Sequence, residues 1–514
     1  MAELSGLIRV VRNTLVQLMR LFFGGVFTLI STRFALAALG RTDYGIYTVC
    51  IGIGLFFGFL TGAITIVTQR TLSMSIHDES AVKAAFKCCL KNHLRAALFF
   101  MIAGLGVAFP FLAYGLDIPS ERAPAAAVVV LGALTAGGFG ILAAPFEAYL
   151  WAKEEFAPFG VLNVLGAGLV AAGSSLLHFY SGDKLIGYAA VTFGSNIFVT
   201  TLGVLFVVRS YRSTSINMTD IIRAEPAPID SRLFTWNVIG SLSMVLMQQG
   251  IVFIVYSFHG AAAAAAMGIA SQVANLFRQF GQALNGSLSP GLYALEIKGE
   301  RSAMVTNALV GSKYVFMMVS IPAMIFCDNS DFILSVWLGS SPMFTGVLSK
   351  FLLISLMVEA LTSLTFTVWQ AIGSIRKLYL YNVSIAVAVI TILYVSSLAG
   401  LGVAWLGGIL IFAAFANTLI RIVLLGAYQS NIVINWISTT AAPCLLSIAP
   451  VFCWLAISVA LFDGWLRLVV GGCGALVVAL PAAYFVGLGA AERLQLFAFS
   501  ARIFSLAQIA GLRS

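Results

Sequence analysis

From residue 14 to residue 489 this chain is a succession of long apolar runs separated by short polar connectors. Within hydrocarbon every backbone N–H and C=O must be satisfied inside the chain, so only helices or closed barrels can span a bilayer. The runs are about 20 residues or longer, the length of a spanning helix, whereas barrel strands alternate over roughly 10 residues. An all-α integral membrane protein is therefore predicted. Only 10% of the residues are charged, where a soluble domain carries about 25%. The mean hydropathy of +0.99 agrees.

About 14 transmembrane helices are predicted, at 14–38, 45–67, 94–115, 124–149, 157–179, 185–208, 234–257, 262–288, 308–327, 347–371, 378–398, 402–425, 441–462 and 465–489. The positive-inside rule tests the count. With the N-terminus in the cytoplasm, alternate connectors collect 21 of the 29 Lys and Arg, among them Arg70, Lys83, Lys87, Lys91, Arg95, Lys313 and Arg421. The opposite connectors hold Arg41, Arg122, Lys184, Lys350 and Arg467, and Arg20, Arg33 and Arg278 lie inside runs. Both termini are thus expected in the cytoplasm. This distribution also accounts for the net charge of +9 without nucleic acid, because no contiguous basic face exists. Basic residues precede the first run as in a signal peptide. Arg20 and Arg33 interrupt that run and no soluble domain follows, so cleavage is not expected.

Self-similarity appears at an offset near 220 residues. Asn13 matches Asn237, Gly45 of Gly45-Ile46-Tyr47 matches Gly268 of Gly268-Ile269-Ala270, and Ala152 matches Ala371. The matches suggest two six-helix halves, 1–208 and 234–426, joined by a cytoplasmic linker 209–233. An even number of spans per repeat makes the repeats parallel. Residues 427–514 then add two extra C-terminal helices and a cytoplasmic tail.

Several segments carry a family resemblance. The stretch Asn13 to Arg33, then Leu39-Gly40-Arg41-Thr42-Asp43-Tyr44-Gly45-Ile46-Tyr47 and Gln69-Arg70-Thr71-Leu72-Ser73, resembles the opening of bacterial polysaccharide flippases. These belong to the multidrug/oligosaccharidyl-lipid/polysaccharide exporter superfamily. Pro145 to Phe156 is similar to that family's fourth-helix ending, and Trp337-Leu338-Gly339 to its outer loop after helix nine. The resemblance implies two six-helix lobes around a central cavity, and export of undecaprenyl-pyrophosphate-linked oligosaccharide from the cytoplasmic to the periplasmic leaflet of the bacterial inner membrane. Its partners would be that lipid-linked cargo, membrane lipids and polysaccharide polymerase machinery.

The run 262–288 is the richest in candidate contacts. Ser271, Gln272, Asn275, Arg278, Gln279, Gln282 and Asn285 fall within an arc of about 140° at 100° per residue. Such a stripe must face protein or water. It can bind sugars through amides and pyrophosphate through Arg278, or it can serve interhelical hydrogen bonding. The number of polar residues and the arginine favour binding. In the first run Asn13, Gln17, Arg20, Gly24, Thr28 and Ser31 share a face, with Arg20 a second phosphate ligand or an interfacial charge. In the seventh, Asn237, Ser241 and Gln248 align, and Gln248 joins the candidate cargo contacts. An arginine suits such cargo because its planar fork matches phosphate oxygens and never deprotonates.

Glu359, on a predicted face with Ser355, Thr362, Ser363 and Gln370, is either an ion-coupling carboxylate or the counter-ion of Arg278. Glu147 is read as an interfacial charge. Gly54, Gly58 and Gly62 form a small-residue strip for close helix approach. The rival reading from the same superfamily is a multidrug/cation antiporter, which would want acidic residues where this chain has arginines. A membrane enzyme of polysaccharide assembly fits less well, because the four histidines are scattered and the outer connectors short. No catalytic residue, cofactor or metal is implied, and the seven cysteines lack metal-ligand spacing.

Overall fold

A computed structural model describes residues 2–76, 78–153, 155, 157–211, 214, 231–373, 375–429, 431–490 and 492–494. Side chains are described from residue 19 onward, those of 66, 231–233 and 375 excepted. Most of the expected linker 209–233 and most of the tail lie outside the described residues. No strand occurs among the described residues. The helices are α1 (Ala2–Phe56), α2 (Gly58–Ser75), α3 (Glu79–Pro110), α4 (Ala123–Ala152), α5 (Ala157–Leu176), α6 (Lys184–Ser210), α7 (Ser231–Ile297), α8 (Arg301–Asp328), α9 (Ser330–Leu338), α10 (Thr345–Ala360), α11 (Thr365–Ile372), α12 (Ile375–Leu398) and α13 (Val403–Leu425). Two further spans follow, α14 (Ile432–Leu461) and α15 (Gly464–Gly487).

Among the described residues, 11 helices are long and apolar enough to cross a membrane, or 12 if α10 and α11, bent by 50° at their junction, form one span. The sequence count of 14 differs because α1 and α7 each run through two expected spans. The apolar part of α7 is 64 residues. At 1.5 Å per residue that is about 96 Å, roughly three times the hydrocarbon thickness. Both helices are interrupted by a glycine that no helix can contain, Gly40 (φ 75°, ψ 177°) and Gly260 (φ 81°, ψ 176°). That backbone region is open to glycine almost alone. The two breaks stand 220 residues apart, the offset at which the sequence matches recur.

The break between α10 and α11 has another cause. Its freed backbone groups find partners on neighbouring helices: Thr418 donates to the Val358 carbonyl (3.2 Å), Trp436 Nε1 to the Leu361 carbonyl (3.3 Å), and the Leu364 N–H to Ser312 Oγ (3.1 Å). Such side-chain rescue is what lets a spanning helix break inside a membrane. Helical phase is lost across residues 361–364. Glu359 and Ser355 therefore share α10, while Thr362 and Ser363 sit in the break and Gln370 beyond the bend. The single face expected from periodicity does not survive the break.

The chain divides into two compact units. The first comprises Met1–Gln272, Leu334–Leu348 and Tyr379–Ile409. In it the limb 41–56 crosses the limb that starts after Gly260 at backbone distance. A Cβ on Gly45 would overlap the Ala261 carbonyl, and one on Gly268 would sit 2.7 Å from the Thr48 methyl. The expected glycine strip is shared out instead: Gly54 faces Ala133, Gly62 faces Ser241, and Gly58 meets nothing within 4 Å. His93 ties three helices together. Its Nδ1 lies 2.8 Å from the Ile141 carbonyl, which can only accept, so Nδ1 carries the proton and Nε2 accepts from Thr68 (2.9 Å). Arg122 bridges Asp43 (2.5 Å) and Asp183 (2.6 Å), and Asp183 also caps α6 through the Leu185 N–H.

The Gly45 crossing yields a stability prediction. Gly45→Ala forces backbone against backbone, and overpacking of that kind costs about 1–3 kcal/mol or more. We expect a lower melting temperature and poor accumulation, whereas Gly58→Ala in open space should behave as wild type. Equal thermal stability of the two variants would show that the crossing can relax.

The second unit comprises Val273–Ile333, Ser349–Leu378 and Leu410–Ser514. Val451, Leu455, Ala475 and Ala479 of α14 and α15 pack with Ile321, Met324 and Ile325 of α8. Trp454 Nε1 donates to the Gly471 carbonyl at 3.0 Å, joining α14 to α15. Arg467 holds Asp328 through its carboxylate (2.9 Å) and its carbonyl (2.6 Å). Lys313, only 2% exposed, places its ammonium 2.8 and 2.7 Å from the two carboxylate oxygens of Glu492. The last two helices are thereby fastened to α8 at several levels.

Candidate functional site

The second limb of α7, 261–297, carries the polar stripe. Its head belongs to the first unit. There the Thr32 hydroxyl donates to Gln272 Oε1 (2.7 Å), and Gln272 Nε2 donates to the Tyr44 hydroxyl (3.0 Å). Both ends of the amide are occupied, by α1 residues on either side of the Gly40 break.

The rest of the stripe belongs to the second unit, where its foot is also pinned. Ser363 donates to Asn285 Oδ1 (3.2 Å), and the hydroxyls of Ser289 and Thr367 lie 3.2 Å apart. Between head and foot the stripe is open. Asn275 and Gln282 are exposed, and Arg278 and Gln279 half-buried. Arg278 Nη1 donates to Asn275 Oδ1 at 2.7 Å, which leaves the rest of its fork of donors available. Among the described residues, no side chain comes within hydrogen-bond distance of Gln279 or Gln282. The stripe is thus interhelical glue at its ends and unpaired amide and guanidinium in its middle. Such a set donates to phosphate oxygens and exchanges hydrogen bonds with hydroxyls.

The remaining candidates are dispersed. Gln248, on the first limb of α7, is exposed. Asn237 on that limb is buried and accepts from Tyr379 (3.3 Å). Arg20 is half-buried in α1, and its charge acts on the Glu147 carboxylate. Glu359 lies in the last turn of α10, and its charge acts on Arg421 of α13. Among the described residues, Arg421 Nε and, one turn earlier, Asn417 Oδ1 are buried without a hydrogen-bond partner.

Sequence reasoning missed Arg421, assigning it to a connector. Its spacing of four from Asn417 within an apolar run was the available signal. Lys313 was counted as a connector charge for the same reason, although it stands inside the run 308–327. Thr32 and Tyr44 gave no signal, because only the partner helix shows that they share one amide.

No protein-family model matches the chain, and no curated relative does. Solved structures do match. One, described as the inward-facing conformation of a multidrug resistance MATE family transporter of the MOP superfamily, has a TM-score of 0.65 at 16% identity. It covers 81% of this chain and 99% of its own. The outward-facing conformation of a MATE transporter so described gives 0.55 at 15% identity, covering 82% and 96%. A MOP superfamily transporter from Pyrococcus furiosus, described by the reverse polarity of its binding pocket as suggesting a different function, gives 0.54 at 14% identity, covering 83% and 95%. The chain is a multi-span, all-helical membrane protein. Its fold is that of the MATE family transporters of the MOP superfamily.

Proposed function

We propose that the chain exports undecaprenyl-pyrophosphate-linked oligosaccharide across the bacterial inner membrane by alternating access, for cell-surface or exopolysaccharide synthesis. The observation that carries this reading is the open middle of the α7 stripe, where Arg278 stands among amides with most of its donors unused. Arg278 receives the pyrophosphate there, and Asn275, Gln279 and Gln282 the sugars. Arg20 is a second phosphate contact, and Gln248 a further cargo contact. Glu359 is the ion-coupling candidate. Export of drug cations is the second reading, favoured by the multidrug description of two structural neighbours. Arginines in the spans weigh against it. Reconstitution decides between them: we expect vesicles to move a fluorescent lipid-pyrophosphate saccharide and not a cationic dye. Dye transport alone would replace the proposal with the antiporter.

The reading includes a topology. Dividing α1 at Gly40 and α7 at Gly260, and taking α10 with α11 as one span, supports 14 spans. They form six-helix lobes at 1–208 and 234–426, the linker 209–233, and two extra helices with a tail in 427–514. The matching glycine breaks support the repeat. With both termini cytoplasmic, reporter fusions at Ser120, Asp183 and Asn329 should read as periplasmic, and those at Ser80, Ser215 and Gly299 as cytoplasmic. A cytoplasmic signal at Asn329 would break this arrangement.

A further inference from the structure

The expected connector 68–93 is largely helical: α2 runs to Ser75, and α3 starts at Glu79 with Asp78 as its cap. The α3 span through Gly115 is 37 residues, about 55 Å at 1.5 Å per residue, against about 30 Å of hydrocarbon. The exposed apolar face begins at Leu94, and from there to Gly115 the helix rises about 33 Å, close to one hydrocarbon thickness. Residues 79–93 therefore stand in the headgroup layer and beyond it. These turns carry an ordered row of cations. Lys83, Lys87, Lys91 and Arg95 recur every fourth residue, against the expectation that no contiguous basic face exists. At 100° per residue they and the exposed Leu94, Leu98 and Ile102 fall within one arc of about 120°. The buried Val82, Phe86, Cys89, His93, Ala96 and Phe100 fill a separate arc of about 80° on the other side. Lys83 and Arg95 are exposed, with Lys87 and Lys91 half-buried between them. The exposed apolar face of a spanning helix meets lipid tails, so its continuation past the hydrocarbon edge meets headgroups.

We propose that the basic row of α3 is a docking surface for anionic phospholipid. Charge complementarity selects that occupant: a zwitterionic headgroup brings a phosphate but no net charge, whereas an anionic one matches a row of cations. Arg95, at the hydrocarbon edge, reaches the phosphate level with its long stem along the tails. The surface lies within one helix and is independent of the cargo reading.

The full-length protein in vesicles of phosphatidylethanolamine and phosphatidylglycerol provides the test. One or the other lipid carries a photoactivatable headgroup at equal mole fraction, and adducts on residues 79–98 are mapped by mass spectrometry. The phosphatidylglycerol probe should label this segment several times better than the phosphatidylethanolamine probe. Lys83→Gln/Arg95→Gln should lower that preference about fivefold or more, since one basic residue near an anionic surface is worth about 1 kcal/mol, a factor of about five. Arg95→Lys should keep the preference, and high salt should weaken it. Equal labelling by the two probes, or a preference unchanged in the double variant, would overturn the proposal and leave the row as a signal for membrane orientation only. Displacement of the phosphatidylglycerol probe by a few molecules of lipid-pyrophosphate saccharide per protein would also overturn it, and would assign the row to cargo. Should the double variant fail to accumulate, Arg95→Gln alone carries the same comparison.

Discussion

Arg278→Ala should lower export on the order of tenfold to a hundredfold, the range of one or two charge-assisted hydrogen bonds. Abundance should stay at the wild-type level. Arg278 is half-buried and its hydrogen-bond partner is the neutral Asn275, so its removal strands no buried charge. Arg278→Lys should keep part of the activity, since the charge survives but the planar fork does not. The competing account, in which Arg278 exists to neutralise Glu359, forecasts recovery of both abundance and export in Arg278→Ala/Glu359→Ala. Among the described residues, no ion pair joins Arg278 to Glu359, and the Glu359 charge acts on Arg421. We therefore expect the double variant to export no better than Arg278→Ala. Recovery would refute the assignment of Arg278 to cargo.

Lys313→Met should be the most destabilising single change in the second unit. The Lys313 ammonium is 3% exposed and the Glu492 carboxylate 13%. Two charges so placed stand only because they meet in a bidentate contact. Removing one partner of a buried pair costs about 3–5 kcal/mol, because the other is left uncompensated. Glu492 also accepts from the Gly489 N–H (2.9 Å), and Arg493 donates to the Leu488 and Phe485 carbonyls (3.0 and 2.6 Å). The same loss should therefore loosen the turn that closes α15. The pair sits away from the α7 stripe in sequence, so the effect should appear first in the melting temperature and in protease sensitivity of the C-terminal segment. In Lys313→Met/Glu492→Leu most of the stability should return, because no lone charge remains. Additive losses in the double variant would mean that the pair matters for packing and not for charge.

Periodicity and composition determined a good deal by themselves. An apolar run of twenty residues has one low-energy form in hydrocarbon, so the helices and the membrane class were legible directly. Span ends expected at 38 and 45, and at 257 and 262, bracket the breaks at Gly40 and Gly260, because only glycine tolerates that backbone. The stripe on α7 was legible too, since a 3.6-residue period says which residues share a face. It cannot say what the face meets. Gln272 and Gln279 are nearly in phase, yet one is held by Thr32 and Tyr44 and the other is open, and that difference comes from helices more than 200 residues away in the chain. Lys313 and Glu492 are a pair of the same kind. A charge inside an apolar run announces that it needs a partner, and only packing decides which distant residue answers.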